Sequence, residues 1–143
     1  MKKKIHGFTL VELIVVIAII GVLAAILVPS MLGYVKKARI TAVNSNAKSL
    51  SNAVSTAITT LDTIDVDTDN IDNLDCLSTG TTYDSLIQEV KKYFKGIETL
   101  DAAHCKIKSG SCIGTWVKKG NYYGAYPILT TPENADTVPT LPD

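Results

Sequence analysis

Residues 2–29 read KKKIHGFTLVELIVVIAIIGVLAAILVP, and every other reading of this chain works outward from that stretch. Lys2, Lys3 and Lys4 lead through His6 and Gly7 into an apolar run that begins at Phe8. From Phe8 to Val28 the one ionisable side chain is Glu12. At 1.5 Å of rise per residue the run makes a helix of about 31 Å, the thickness of a bilayer's hydrocarbon core. A carboxylate at the end of such a span is unfavourable unless something answers its charge, because an unpaired charge away from water costs several kcal/mol. Glu12 therefore needs a partner.

Lysines flank only the N-terminal side of the run, which favours a cytoplasmic N-terminus and an external C-terminus. A secretory signal cleaved near Ala24-Ala25 and a plain single-span anchor are the simpler readings. Neither accounts for Glu12, and helical patterning continues past Pro29. A cut after Gly7 does account for it. Phe8 then carries a free α-amino group at the first turn, and Glu12 lies one turn further along the same face. The carboxylate sits at the positive end of the helix dipole and can neutralise an ammonium. Within one helix the amino group points away along the axis, whereas between staggered parallel helices the contact is natural. A charge answered by the next subunit acts as an assembly register.

Gly7-Phe8-Thr9-Leu10-Val11-Glu12, with Leu13 to Pro29 behind it, resembles the N-terminal signature of type IV pilins and the related pseudopilins. The resemblance covers residues 1–33. It implies a leader, residues 1–7, removed by a prepilin peptidase between Gly7 and Phe8, and N-methylation of Phe8. It further implies a filament-core helix over residues 8–29, with Glu12 paired to the Phe8 amine of an adjacent subunit. In the family this segment can lose helical structure inside the filament, here between Gly21 and Pro29; both residue types weaken a helix interior. The implied partners are other copies in a homo-oligomeric helical filament, the peptidase, and an inner-membrane platform with its assembly ATPase. The subunit would pass from the cytoplasmic membrane to an extracellular pilus serving adhesion, aggregation or twitching motility. The alternative is a pseudopilin of a type II secretion or DNA-uptake system. Major secretion pseudopilins resemble one another in an Asp-Pro-Trp-Gly-like calcium region near the end, and this chain has none. It also departs from the many pilins that close a C-terminal loop with a cysteine pair, since no cysteine follows Cys112.

Beyond Pro29 the pattern turns amphipathic. Val35, Ala38, Ala42, Val43, Ala47, Leu50, Val54, Ala57, Ile58 and Leu61 recur at spacings of three and four, while Lys36, Lys37, Arg39, Asn44, Asn46, Lys48 and Asn52 fill the other side. One long helix, kinked at Pro29, is expected to reach about Leu61. Its second half, residues 30–61, would cover a globular head of residues 62–143. Residues 62–82 hold six aspartates and no basic residue, and are expected to form an exposed connector. Asp65-x-Asp67-x-Asp69 has the opening of a calcium loop, but Asn70 takes the place of the turn glycine and Cys76 that of the bidentate glutamate. A helix over residues 83–95, capped by Thr81 or Thr82, precedes three strands at 103–108, 111–118 and 122–129, turning at Ser109-Gly110 and near Gly120-Asn121. The expected fold is α+β: a long N-terminal helix packed on a small antiparallel three-stranded sheet, pilin-like in architecture.

Without residues 1–7 the chain holds 11 Lys and Arg against 14 Asp and Glu, about three negative charges, which argues against a nucleic-acid surface. It contains no glycine-rich phosphate loop, no HExxH and no nucleophile elbow, and His104 is the one histidine left after such a cut, so no catalysis and no cofactor is expected. Trp116, Tyr122, Tyr123 and Tyr126 read as packing residues. The disulfide candidates are Cys76, Cys105 and Cys112, lying where disulfides persist if the head is outside the cytoplasm. A two-residue turn at Ser109-Gly110 pairs Ile107 with Cys112 and Cys105 with Gly114, leaving the two cysteines diagonal and too far apart to bond. A bridge involving Cys76 is preferred. A zinc site of three thiolates is the minor alternative, with His104 turned to the opposite face.

Overall fold

The structure, a computed structural model, describes residues 7–62 and 70–143. It divides into two units, Met1–Lys36 and Lys37–Asp143. Helix α1, Leu10–Asp62, contributes to both. It begins with an acidic residue, Glu12, in its first turn, as the macrodipole favours. Neither Gly21 nor Pro29 breaks it. Proline at position 29 removes one backbone donor, and the next residue, Ser30, turns its hydroxyl back to donate to the Leu27 carbonyl at 2.8 Å.

In the second unit α1 lies against a four-stranded antiparallel sheet of order β1-β2-β3-β4. The strands are β1 (Asn70–Asp75), β2 (Ala102–Lys108), β3 (Ser111–Lys119) and β4 (Tyr122–Tyr126), with helix α2 (Asp84–Tyr93) and a 3-10 turn (Lys95–Thr99) between β1 and β2. Val43, Ala47, Leu50, Val54, Ala57, Ile58 and Leu61 of α1 share one core with Ile71, Leu74, Leu86, Ile87, Val90, Ile97, Ala103, Cys105, Ile107 and Val117. Those α1 positions are the ones the three-and-four spacing picks out. At its start the stripe differs: Val35, Ala38 and Ala42 are exposed, and Ile40 is buried in their stead.

Sequence analysis expects three strands, and the sheet has four. The added strand, β1, falls in the acidic stretch expected as a connector. Its ladder to β2 is interrupted between Ile71 and Leu74, so the two inward residues stand three apart instead of two. A bulge of this kind erases the alternation by which a strand is recognised. The calcium-like positions Asp65, Asp67 and Asp69 lie outside the described residues.

The hairpins follow their turn chemistry. Ser109 and Gly110 both take positive φ, 51° and 66°, the pair of left-handed residues a type I′ turn requires. Gly120 alone does so at the second turn, φ 60°, as in type II′, and its N–H donates to Asp101 Oδ2 at 2.6 Å. The fourth strand stops at Tyr126, short of the expected 129, because Pro127 has no N–H to continue a ladder. Helix α2 is shorter than expected. Its start is tied by the Asp84 carboxylate, which accepts from the N–H groups of Thr81 (2.8 Å) and Gly80 (3.0 Å), while the Thr81 hydroxyl accepts from the Tyr83 N–H at 3.3 Å. Those bonds hold Asp84 below the usual carboxylate range, the Thr81 N–H first among them. Tyr93, the last residue of α2, is 48 % exposed.

Two close approaches fix the sheet against α1. Gly124 of β4 lies so near the helix backbone that a Cβ there would overlap the Val43 carbonyl and come within 2.6 Å of the Asn44 nitrogen. Glycine is required by the contact. Beside it the buried Thr115 hydroxyl donates to the Ala47 carbonyl at 2.7 Å.

Candidate functional site

The first unit contains the residues singled out for assembly. Gly7, Phe8 and Thr9 precede the helix in extended or irregular backbone, and Phe8 is 92 % exposed. Every residue from 7 to 39 is exposed, on all sides of the helix. A helix apolar all round has no face for water and must find lipid or other helices. It is long and apolar enough to cross a membrane.

Glu12 has a partner that sequence analysis does not name. Its Oε2 accepts from the Thr9 N–H at 2.8 Å and from the Thr9 hydroxyl at 2.8 Å, while the Glu12 N–H donates to Thr9 Oγ1 at 3.3 Å. This is a reciprocal capping box with Thr9 as N-cap and Glu12 three residues on. Its signal, Thr-x-x-Glu before an apolar run, stands in plain view at residues 9–12. The box satisfies hydrogen bonds, yet leaves a full negative charge. Among the described residues no cation forms an ion pair with Glu12. Gly21 and Pro29, the expected filament break, are helical in this isolated chain.

The cysteines gather in the core of the second unit. Cys76 and Cys105 are both fully buried, with sulfurs 3.6 Å apart. The Cys76 sulfhydryl, together with burial, pushes the Cys105 thiol well up. Cys112 is half-buried, its sulfur 3.8 Å from Ser51 Oγ and 3.8 Å from the Gly114 carbonyl, and burial raises it too. The pairing of Ile107 with Cys112 is as expected, but Cys105 pairs with Thr115, not Gly114. A bulge at Ile113 takes up the extra residue. Among the described residues no cluster of three or more His, Cys, Asp or Glu could hold a metal ion, so the thiolate zinc alternative finds no support.

The aromatics on the outer face of the sheet satisfy one another. His104 and Trp116, paired across β2 and β3, stack at 4.2 Å with 12° between their planes, and Tyr123 tilts against Trp116 at 5.7 Å. One face of the indole is thereby covered. His104 Nδ1 lies 3.1 Å from Asn73 Oδ1, and partial burial lowers its pKa. On the inner side sits Asn44, which the spacing places with the polar side of α1 although it is 8 % exposed.

Comparison with known proteins bears on part of the chain. Residues 2–28 match the family described as the prokaryotic N-terminal methylation motif. The chain is 40% identical over 58 residues to a type IV major fimbrial protein FimA of Dichelobacter nodosus, covering 41% of this chain and 37% of that protein. It is 44% identical over 56 residues to a fimbrial protein of Pseudomonas aeruginosa, covering 39% and 36%. A type IV major alpha-pilin of Moraxella bovis is 46% identical over 52 residues, covering 36% and 33%. The match thus spans little more than a third of each relative's length. No solved structure matches the chain. Residues 2–28 thus carry the prokaryotic N-terminal methylation motif, and the chain is similar over little more than a third of its length to type IV fimbrial proteins.

Proposed function

We propose that this protein is a structural subunit of a type IV pilus filament. The observation that carries the reading is a helix apolar on every side, exposed from residue 7 to 39, with Glu12 as its one charge before residue 36. Before assembly the helix spans the cytoplasmic membrane with the lysines inside. A prepilin peptidase removes residues 1–7, freeing the Phe8 amine, which is then methylated. In the filament the apolar helices pack together, and Glu12 meets the Phe8 ammonium of a neighbour. The capping box supports this step: it holds the carboxylate at the helix start, where a neighbour's terminus can reach it, and leaves its charge to be answered. Residues 37–143 form the surface. Extraction from the membrane is driven by the platform and its ATPase, and the filament serves adhesion, aggregation or motility.

The pseudopilin reading shares the whole N-terminal argument, but the relatives named above are fimbrial. Mass spectrometry of sheared surface material is the test. An abundant chain beginning at methylated Phe8 is expected. A chain retaining residues 1–7, or absent from sheared fibres, overturns the proposal.

A further inference from the structure

We propose that Cys76 and Cys105 are joined by a disulfide in the mature protein and that Cys112 remains a thiol. The geometry does most of the selection. Cys76 is the first residue past β1, tied to β2 by its N–H, which donates to the Ala103 carbonyl at 2.7 Å. Standing in the turn and not in the ladder, its side chain folds over β2, and the sulfurs meet at 3.6 Å. Closing that gap to the ~2.05 Å of a disulfide takes side-chain rotation with a small shift of the turn, and no change of register. The competing pair is held apart. The bulge at Ile113 sets Cys105 opposite Thr115 and Cys112 opposite Ile107, and the Cys112 sulfur turns to Ser51 and Gly114.

The chemistry needs an oxidant, and an extracytoplasmic thiol–disulfide oxidoreductase supplies it. One cysteine thiolate attacks the disulfide of that donor, forming a mixed disulfide and releasing one donor thiolate. The second cysteine thiolate then attacks the protein's own sulfur in the mixed bond, closing Cys76–Cys105 and releasing the second donor thiolate. Two electrons pass to the donor, and the two protons lost by the cysteines appear on its thiols. In the folded head both sulfurs are buried, out of reach of a donor disulfide, so exchange belongs to the stage before β1 docks on β2. Afterwards the same burial shields the bond. The bridge encloses residues 77–104, which carry α2 and the 3-10 turn, and fastens the bulged edge strand β1 to the sheet. Edge strands with irregular pairing are the first to open, so this is where a covalent tie gains most.

The inference rests on the extracytoplasmic placement of residues 37–143 proposed above. The test uses the full chain from sheared surface material, alkylated without reductant and digested with trypsin. Cleavage at lysines places Cys76, Cys105 and Cys112 in separate peptides, 49–91, 96–106 and 109–118. The expected result is a species linking 49–91 to 96–106, with Cys112 alkylated. Three alkylated cysteines, or a link between 96–106 and 109–118, overturns the bridge. The N-terminal peptide of the same digest separates the two readings: a methylated Phe8 start with three free thiols sinks the bridge and leaves the filament standing. As a second measurement, the purified full chain is unfolded in denaturant and refolded in detergent with oxidised or reduced glutathione, so that the cysteines can exchange before the head closes. The oxidised form should show the same link and melt roughly 10 °C or more above the reduced form. Equal melting temperatures, or no link in the oxidised buffer, overturns the proposal.

Discussion

Asn44 of helix α1 and Thr130, 86 residues further along, hold each other through three hydrogen bonds. The Asn44 amide donates to the Thr130 carbonyl at 2.9 Å, and its Oδ1 accepts from the Thr130 N–H at 3.2 Å and hydroxyl at 2.8 Å. The same oxygen accepts from the Ala125 N–H at 3.0 Å. One buried side chain thus fastens both β4 and the loop after it to the helix. Replacing Asn44 by Ala strands two buried backbone N–H groups and one carbonyl, each costing about 1–3 kcal/mol when left unsatisfied. Allowing for partial relaxation, Asn44→Ala is expected to lower stability by about 2–4 kcal/mol, read from urea denaturation of the full chain in mild detergent. A loss under about 0.5 kcal/mol would show that the network contributes nothing.

Gly124 of β4 presses against the same stretch of helix. The obstruction is backbone, Val43 and Asn44, which cannot swing aside as a side-chain tip can. Gly124→Ala should therefore push α1 and β4 apart and cost about 2 kcal/mol, within the range for overpacking. Gly80, with open space around it and φ 78°, offers a contrast: there the penalty of Ala is conformational only, about 1 kcal/mol. Thermal melts of the two variants check the ranking, and a Gly124→Ala protein as stable as the Gly80→Ala one contradicts the tight approach.

How much of this was legible in the sequence depends on whether a signal is periodic or pairwise. The stripe Val43, Ala47, Leu50, Val54, Leu61 repeats, so it reads directly as a helix face. The turns at Ser109-Gly110 and Gly120-Asn121 read from residue chemistry. Asn44 does not, because a buried amide looks like any surface amide until Thr130 and Ala125 stand beside it. Strand β1 is hidden by its bulge, and the Ile113 bulge likewise moves Cys105 one residue off the expected register. Glu12 shows the remaining kind of gap. Its need for a partner is evident from the apolar run, but the long-range electrostatic question draws attention from the local answer, Thr9.

His104 gives the head a pH dependence of definite sign. Partial burial lowers its pKa when folded, so the unfolded chain binds the proton more readily. Its contribution is therefore at its best above the unfolded value near 6.5, declines as pH falls through that value, and levels off below the folded one. The ring is half-exposed, so the effect is small, under about 1 kcal/mol after solvent screening. Melting temperature of the wild type should fall between pH 7.5 and 5.5 more steeply than that of His104→Gln, which keeps a polar group near Asn73 without the titration. Parallel profiles would assign the slope to other groups.

Thr9 and Glu12 allow the cap and the charge to be separated. Glu12→Gln keeps an acceptor for the Thr9 N–H, so the helix start and membrane insertion should be unchanged, but it removes the charge left for a neighbour's terminus. Thr9→Val keeps the charge and deletes the hydroxyl, costing the helix start about 1 kcal/mol. If the carboxylate sets the register between subunits, sheared filaments should fall at least tenfold in Glu12→Gln at equal membrane abundance. Thr9→Val, whose carboxylate still accepts from the backbone N–H, should fall far less. Quantitative immunoblots of membrane and sheared fractions give both numbers. Equal losses in the two variants would mean that the cap, and not the charge, is what assembly needs. Such a result would leave the filament reading intact while removing Glu12 from its proposed contact with the Phe8 amine.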